Sequence, residues 1–354
     1  MLNIGALAVT VQKNCDISDA QYAGDYSLCI FLLKMREYFR WEHQLSFAGS
    51  LPRERVGRWM QEREQLWETL EGLPFEPIRL AERSVDAFDS AAINQTLLPQ
   101  GYVYSAGLGR FGKPHFFLGQ LEHSEQHDGI TVHVSSCEYA RDLVAPPAML
   151  LDNTVYLRQE SMRRAVWEQI EEWRWNHQGN QAMTRALTGF DLERDPEGCL
   201  DHFTRYASRI AILHETGEAQ AERLLGEAWP RMLASVSRRK AEFQARAVRD
   251  LLADCLTTLP GLLKQAEAPA IHFFFAGFSG LRRHLFPEAL TAYQAWLLSN
   301  DTQTLEQLAQ RGVAQWLDVA QRMLALHAER GVNAGPFIES LLECNDTCIT
   351  LPVH

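Results

Sequence analysis

The spacing of the apolar side chains changes twice along this chain of 354 residues, and that change constrains the fold most strongly. Helical spacing up to residue 77 gives way to short β-rich runs between 78 and 157, and helical spacing returns from residue 158. We therefore predict an α+β protein that is predominantly α. Its parts are a helical N-terminal element (1–77), a small antiparallel β subdomain (78–157) and a larger C-terminal helical domain (158–354).

The N-terminal element is expected to begin with a strand and to continue with two helices. The first eleven residues are apolar and end in the β-branched Val9-Thr10-Val11, which favours a short strand or a buried extended segment. Asp19 is a suitable N-cap for a helix from about residue 20 to 43, and residues 14–19 then form a polar loop before it. Apolar residues at helical spacing after Pro52 predict the second helix.

Asp, Pro and Gly residues predict helix boundaries in the C-terminal domain. One helix is expected from about residue 159 to 173, and the pair Asp195-Pro196 is a strong start signal for another. Gly217 is expected to separate two helices. Gly331 is expected to end the helix that precedes it.

Residues 107–112 match the pattern G-x-G-x-x-G, which binds dinucleotides when it follows a strand and opens a helix. Here Lys113-Pro114 and another β-rich run follow, so a helix is not expected. Two interpretations stay open: a flexible hairpin connection, or a loop that binds phosphate through Arg110 and Lys113.

Composition excludes several classes of function. The formal net charge of −11 makes nucleic acid an unlikely partner, because phosphate binding needs a basic surface. No apolar run reaches the roughly 20 residues of a membrane-spanning helix. The seven cysteines are scattered and follow no secretory signal, so we expect reduced thiols in a cytoplasmic protein.

A polar stripe on the helix expected at 20–43 is the main candidate site. It contains Asp25, Cys29, Arg36, Arg40 and His43, within about 60° of one another at helical spacing. It is either a solvent-exposed face or one wall of a cleft. In the second case Arg36, Arg40 and His43 bind an anionic ligand, and the catalytic candidates are Asp25, Cys29 and also Cys15, whose thiolate a helix N-terminus would stabilise.

Three further groups contain metal-ligand residue types. They are His123 with His127, His202 with His214 and Glu218, and Cys344 with Cys348 and His354. None has the spacing of a common metal motif, so no metal site is predicted, and the cofactor is left unknown. Whether any of these groups binds metal stays open.

Two classes of function remain. The first is a soluble, cytoplasmic accessory or interaction protein that binds a protein partner through its C-terminal helices. The alternative is a small-molecule enzyme or a binder of a small anionic ligand, with a cleft beside residues 14–43 and a thiol- or metal-dependent mechanism. The patterns do not decide whether the chain is an enzyme, nor its reaction or oligomeric state.

Overall fold

The computed structural model describes residues 3–47, 49–81, 83–109, 112–175 and 180–345. The fold is α+β and predominantly α, as predicted. The chain divides into two compact units. Unit 1 comprises Met1–Gln126, Thr131–Gln169 and Asp191–Thr204, and unit 2 comprises His127–Ile130, Ile170–Phe190 and Arg205–His354.

Unit 1 begins with helices, and its first segment is not the expected strand. The helices are α1 (Ile4–Tyr22), α2 (Leu28–Glu42), α3 (Arg53–Leu70), α4 (Ser90–Leu97) and most of α5 (Gln159–Trp175), with 3₁₀ turns at Ala23–Asp25 and Leu98–Gln100. Asn3 caps α1, since its side chain accepts a hydrogen bond from the Ala6 amide (3.1 Å). Leu7, Val11 and Cys15 are buried at a spacing of four, and this helical spacing outweighs the β-branched residues between them.

The helix expected from 20 to 43 is instead the end of α1, a 3₁₀ turn and α2. Asp19 lies inside α1 and does not cap a helix, and Gly24, a poor helix former, lies in the turn. The polar stripe is therefore divided between two elements. Helix α3 confirms the second helix predicted in this region.

Unit 1 also contains the sheets. A two-stranded antiparallel sheet pairs β1 (Ile78–Leu80) with β2 (Arg83–Val85). The other strands are β3 (Tyr102–Leu108), β4 (Pro114–His127), β5 (Ile130–Arg141), β6 (Ala148–Leu151) and β7 (Thr154–Arg158), and they form a five-stranded sheet in the order β3-β4-β5-β7-β6.

One strand pair differs from the expected antiparallel arrangement. β5 and β7 run parallel, with Thr131 opposite Thr154, because the β6–β7 hairpin places β7 between β5 and β6. Val155, Tyr156 and Leu157 are all buried, as is typical of a central strand covered on both faces.

Unit 2 is helical. Its helices are α6 (Gln181–Ala186), most of α7 (Pro196–Leu225), α8 (Ala228–Ser235), α9 (Arg239–Ala253), α10 (Leu259–Gln265), α11 (Ala268–Ala276), α12 (Gly280–Leu285), α13 (Pro287–Ser299), α14 (Gln303–Arg330) and α15 (Gly335–Asn345), with a π-helical turn at Asp254–Thr258. Asp195 caps α7 through the Gly198 amide (2.9 Å), and Gly331 ends α14 at a φ of 56°, so both predicted boundaries are confirmed.

The helix break predicted at Gly217 is wrong. α7 continues through this residue, and a Cβ atom there would lie 2.5 Å from the Ala253 carbonyl oxygen. Glycine is present because the two helices approach closely, not because the chain turns. In the described part of the chain, no helix is both long and apolar enough to cross a bilayer.

Candidate functional site

The middle of α1 buries polar side chains where a polar loop was expected. Asn14, Ser18 and Asp19 have no exposed surface. Asn14 exchanges two hydrogen bonds with the backbone of Glu76 (2.8 and 2.7 Å), and Ser18 Oγ donates to the Pro114 carbonyl (2.6 Å). These residues can be helical and buried because strands and loops supply their partners.

Cys15 lies in this buried row, and the expected position at a helix N-terminus is wrong. Its thiol is fully buried and donates to the Phe116 carbonyl (3.3 Å). Burial, reinforced by the charges of Asp142 and Asp19, raises the pKa of the Cys15 thiol well above its usual value. A thiol in this environment stays protonated, so the structure contradicts the lowered pKa expected for it.

Asp19 forms a buried ion pair with Lys113. Lys113 Nζ donates to Asp19 Oδ1 (3.0 Å), and the Leu143 amide donates to Oδ2 (2.7 Å). Burial raises the pKa of Asp19 to about 7, and the negative charge of Asp142 adds to this effect, while Lys113 opposes it. The pKa of Lys113 is raised because the charges of Asp19 and Asp142 outweigh its own desolvation.

His115 and Asp142 form a second buried pair. His115 Nδ1 lies 3.1 Å from Asp142 Oδ2, and Asp142 Oδ1 accepts from the amides of Val144 and Ala145 (2.9 Å each). Burial opposes ionisation of Asp142, but its contact with His115 holds the pKa of this carboxyl well below its usual range. A carboxylate that orients an imidazole is the arrangement found in general base catalysis.

The glycine loop closes a hairpin beside His115. The Gly109 amide donates to the Lys113 carbonyl (2.8 Å) between the antiparallel strands β3 and β4, which confirms the predicted hairpin connection. Lys113 is paired with Asp19, and Arg110 lies outside the described residues.

Two fully buried arginines have guanidinium nitrogens that lack a hydrogen-bond partner in the described structure. Arg141 ends β5 and is 1% exposed, while Arg158 ends β7 and is 0% exposed. Nε, Nη1 and Nη2 of Arg158, and Nε and Nη2 of Arg141, have no partner among the described residues. The guanidinium carbon of Arg158 lies 4.2 Å from the centre of the Phe117 ring. Such a ring covers the face of the guanidinium, whereas its N–H groups point outward in the plane and stay unsatisfied.

Arg164 and Lys34 add positive charge to the same region. Arg164 Nη2 donates to the carbonyls of Val144 and Ala145 (3.0 Å each), and its Nε has no partner in the described structure. Burial lowers the pKa of Lys34, and the charges of Arg164 and Arg141 lower it further. We call Arg141, Arg158 and Arg164 the arginine cluster.

The predicted ligand-binding residues at α2 contact other side chains of that helix. Arg36 Nε donates to Glu37 Oε1 (2.7 Å), and Arg40 Nε lies 3.4 Å from the same oxygen. His43 packs on the Phe39 ring (4.1 Å between centroids). The structure thus brings Arg36 and Arg40 together at Glu37, whereas the thiol of Cys15 is buried and bonded to the Phe116 carbonyl. Their role in anion binding stays a prediction.

The other predicted site residues are dispersed. Cys29 is exposed on α2, and the side chain of Asp25 lies outside the described part of the structure. His123 is exposed near Glu122 (3.8 Å), and His202 is exposed on α7. Cys348 and His354 lie outside the described residues, as does the side chain of Cys344. His127 is exposed at the end of β4, four residues from His123 on the same strand.

Sequence reasoning missed the arginine cluster and the Asp19, His115 and Asp142 side chains. One signal was available, because Arg158 directly follows the apolar run of β7 and Arg141 ends the long β-rich run of β5. The side chain of a charged residue at the end of a buried strand is either buried in the core or exposed to solvent beyond the sheet. The sequence does not show which of the two applies.

Comparison with family models matched both parts of the chain. The N-terminal domain model of a "Family of unknown function (DUF6866)" matches residues 6–158, and the C-terminal domain model of that family matches residues 163–345. The comparison with curated proteins returned no match, and neither did the comparison with solved structures. The two matched segments meet at the start of α5.

Proposed function

This chain belongs to the DUF6866 family, and we propose that its unit 1 binds a small anionic ligand through the arginine cluster and Lys34. The observation that carries the proposal is the state of Arg158, which is fully buried while no nitrogen of its guanidinium has a hydrogen-bond partner among the described residues. A ligand carboxylate or phosphate would accept bonds from the edge of the guanidinium, which matches the geometry of these groups.

The nearby carboxylates leave these donors unmet. Asp142 is bonded to His115 and to two backbone amides, and Glu138 Oε1 accepts from the Ser161 amide (3.0 Å). Glu138 Oε2 has no hydrogen-bond partner in the described structure and is the acid that would compete with a ligand for Arg158. An unpaired buried ion is unfavourable by several kcal/mol, which supports a ligand as the missing partner.

Access to the cluster requires movement, because Arg141 and Arg158 have almost no exposed surface. The loop between β5 and β6 is suited to this role. Its Ala145 has a φ of 42°, a left-handed conformation that is strained for alanine, and Asp142 and Arg164 hold the loop in place. We propose that this loop opens to admit the ligand.

The test is ligand-dependent stability. The melting temperature of the protein is measured with phosphate, sulfate and citrate, against sodium chloride at equal ionic strength. Native mass spectrometry of the protein as purified shows whether an anion is retained. We expect at least one oxyanion to stabilise the wild type, and this shift to disappear in Arg158→Met. Arg58→Met, a change at an exposed arginine of α3, is the matched control and keeps the shift.

Glu138→Gln distinguishes an anionic ligand from Glu138 as the partner of Arg158. If a ligand is the partner of Arg158, this variant binds anions as well as or better than the wild type, because a competing negative charge is gone. Anion-dependent shifts that are equal in wild type and Arg158→Met would refute the proposal. The absence of both a shift and a retained anion would refute it as well.

A second candidate function, protein binding, is favoured by apolar side chains of α2 that are exposed to solvent. Leu28, Ile30, Leu32 and Leu33 are between 44% and 71% exposed. Beside them lies a pocket of about 460 Å³ between α2 and α3, which is lined by Tyr26, Leu28, Phe31, Trp67, Glu64, Glu68 and Glu71. An apolar surface next to carboxylates suits a basic amphipathic helix of a partner protein.

This second proposal is tested with synthetic helices. An amphipathic Leu/Lys peptide should bind with an affinity that falls with salt, whereas a Leu/Glu peptide of the same length should not bind. Leu28→Ser with Leu32→Ser should weaken binding of the Leu/Lys peptide. Equal binding of both peptides, or unchanged binding by the variant, would contradict it. We propose that either function is carried out in the cytoplasm, where the thiols stay reduced. The interaction surface expected on the C-terminal helices stays a prediction.

A further inference from the structure

Unit 2 contains a group of metal-ligand side chains that the anion-binding proposal does not use. His214 and Glu218 lie one turn apart on α7, and Asp250 lies on α9. One potential ligand atom of each residue lies within 4.8 Å of the ligand atoms of the other two. The helix continues through Gly217, and the continuous helix places His214 and Glu218 on the same face.

His214 is oriented as metal-binding histidines are. Its Nδ1 lies 2.9 Å from Asp254 Oδ1, at the start of the π-helical turn, while its Nε2 faces Glu218 (3.4 Å). Asp254 is held in turn by Arg282 (3.0 Å). A carboxylate behind one ring nitrogen fixes the tautomer and leaves the other nitrogen available to a metal ion.

Glu218 has a supporting contact of the same kind. Arg249 Nη2 donates to Glu218 Oε1 (2.7 Å), and Arg249 also lies near Glu222 (3.5 Å) and Asp250 (3.7 Å). Ligating carboxylates are commonly hydrogen-bonded in this way, which reduces their freedom before metal binds.

Close packing of α7 on the π-helical turn assembles the group. A side chain at Gly217 would overlap Thr257 and the Ala253 backbone, so glycine is needed for this approach. π-helical turns are rare and are frequent at functional sites. The same approach brings Asp254 to His214 and Asp250 to Glu218.

The carboxylates are crowded. One carboxylate oxygen of Glu218 and one of Asp250 lie within 4.8 Å of each other and of a ring nitrogen of His214. Such crowding is relieved when a cation binds, because the cation compensates the negative charges that repel each other.

We propose that His214, Glu218 and Asp250 bind a first-row divalent cation such as Zn²⁺ or Mn²⁺. One imidazole and two carboxylates form a ligand set that suits Zn²⁺, and the carboxylate oxygens also suit the harder Mn²⁺. The side chains of His214 and Glu218 are 20% and 12% exposed, so solvent reaches the group, and water can complete the coordination. A site with three protein ligands and an open position is typical of metals that act on a substrate.

The test measures the metal bound per protein molecule and the absorption spectrum of bound Co²⁺, both on the full-length protein. Bound metal is first removed with a chelator, and separate samples are incubated with Zn²⁺, Mn²⁺ or Co²⁺. After desalting, the metal content of each sample is measured by inductively coupled plasma mass spectrometry. We expect about one equivalent of at least one metal, and a visible Co²⁺ spectrum that reports nitrogen and oxygen ligands. His214→Gln and Asp250→Asn should lose the metal and the spectrum.

Two further variants keep the proposal falsifiable if a ligand variant fails to fold. Asp254→Asn should keep the ligands but weaken binding by about 10- to 100-fold, because His214 loses its orienting carboxylate. Asp318→Asn, at an exposed carboxylate of α14 that pairs with Arg322 (3.8 Å), is the control and should bind like the wild type. Binding below a tenth of an equivalent by the wild type, or equal binding by Asp250→Asn and Asp318→Asn, would overturn the proposal.

Discussion

Gly109 and His115 approach so closely that a Cβ atom on Gly109 would overlap the imidazole Nε2. The loop that resembles a nucleotide-binding pattern therefore uses one of its glycines to accommodate a buried histidine. Because Asp142 holds the opposite side of the same ring, the backbone at Gly109 and this carboxylate together determine the position of His115.

We accordingly predict that ATP, NAD and NADP at millimolar concentration leave the melting temperature unchanged. Gly109→Ala should lower the free energy of unfolding by about 1 to 3 kcal/mol, since the added methyl group displaces the imidazole from a packed core. The measurement is urea denaturation. Gly57→Ala is the control, because nothing lies within 4 Å of a Cβ there and alanine favours the helix α3. A nucleotide-dependent shift that Gly109→Ala abolishes would contradict this prediction.

The arginine cluster predicts an unusual effect on stability. Without ligand, Arg158→Met should leave the free energy of unfolding unchanged or raise it by about 1 to 4 kcal/mol, because methionine removes an unpaired buried ion. Arg63→Met provides the contrast. Arg63 pairs with Asp16 (3.0 Å) and Glu42 (2.6 Å), so its loss should destabilise by about 3 kcal/mol. Equal destabilisation of both variants in chemical denaturation would show that Arg158 already has a protein partner.

Asp19 predicts the pH dependence of stability. Its pKa in the folded protein is about 7, above the usual value of an unfolded aspartate, so the folded state holds the proton more tightly. The stabilisation that protonated Asp19 contributes to the free energy of unfolding is therefore fully present below about pH 4. It is lost as the pH rises to about 7, at up to about 1.4 kcal/mol per pH unit. The difference in unfolding free energy between wild type and Asp19→Asn should fall across this range. A constant difference would show that Asp19 is ionised throughout.

Thiol reactivity should follow exposure. Iodoacetamide should label the exposed Cys29 first, and Cys15 only when the protein unfolds, because burial removes access and raises the pKa of that thiol. Peptide mass spectrometry over a time course measures both rates. Labelling of Cys15 at the rate of Cys29 in the folded protein would be incompatible with the buried position in α1.

Local patterns predicted the elements whose determinants are local. Asp195 caps α7 and Gly331 ends α14 through their own side chain and backbone conformation, so both boundaries were correct. Asp19 was predicted to cap a helix and Gly217 to separate two helices from the same kinds of signal, and both predictions were wrong. Asp19 bonds to Lys113, and Gly217 packs on Ala253, and both partners are distant in the sequence.

The sequence by itself determined the α+β class, the position of the β-rich segment and the helices that flank it, because side-chain periodicity is a local property. Only the tertiary structure decided which charged residues are buried. Arg158 lies in the core because β7 pairs in parallel with the central strand β5. His214 contacts Asp254 because α7 packs closely on the π-helical turn. Desolvation and pairing depend on groups that meet in space, and no spacing along the chain records which groups those are.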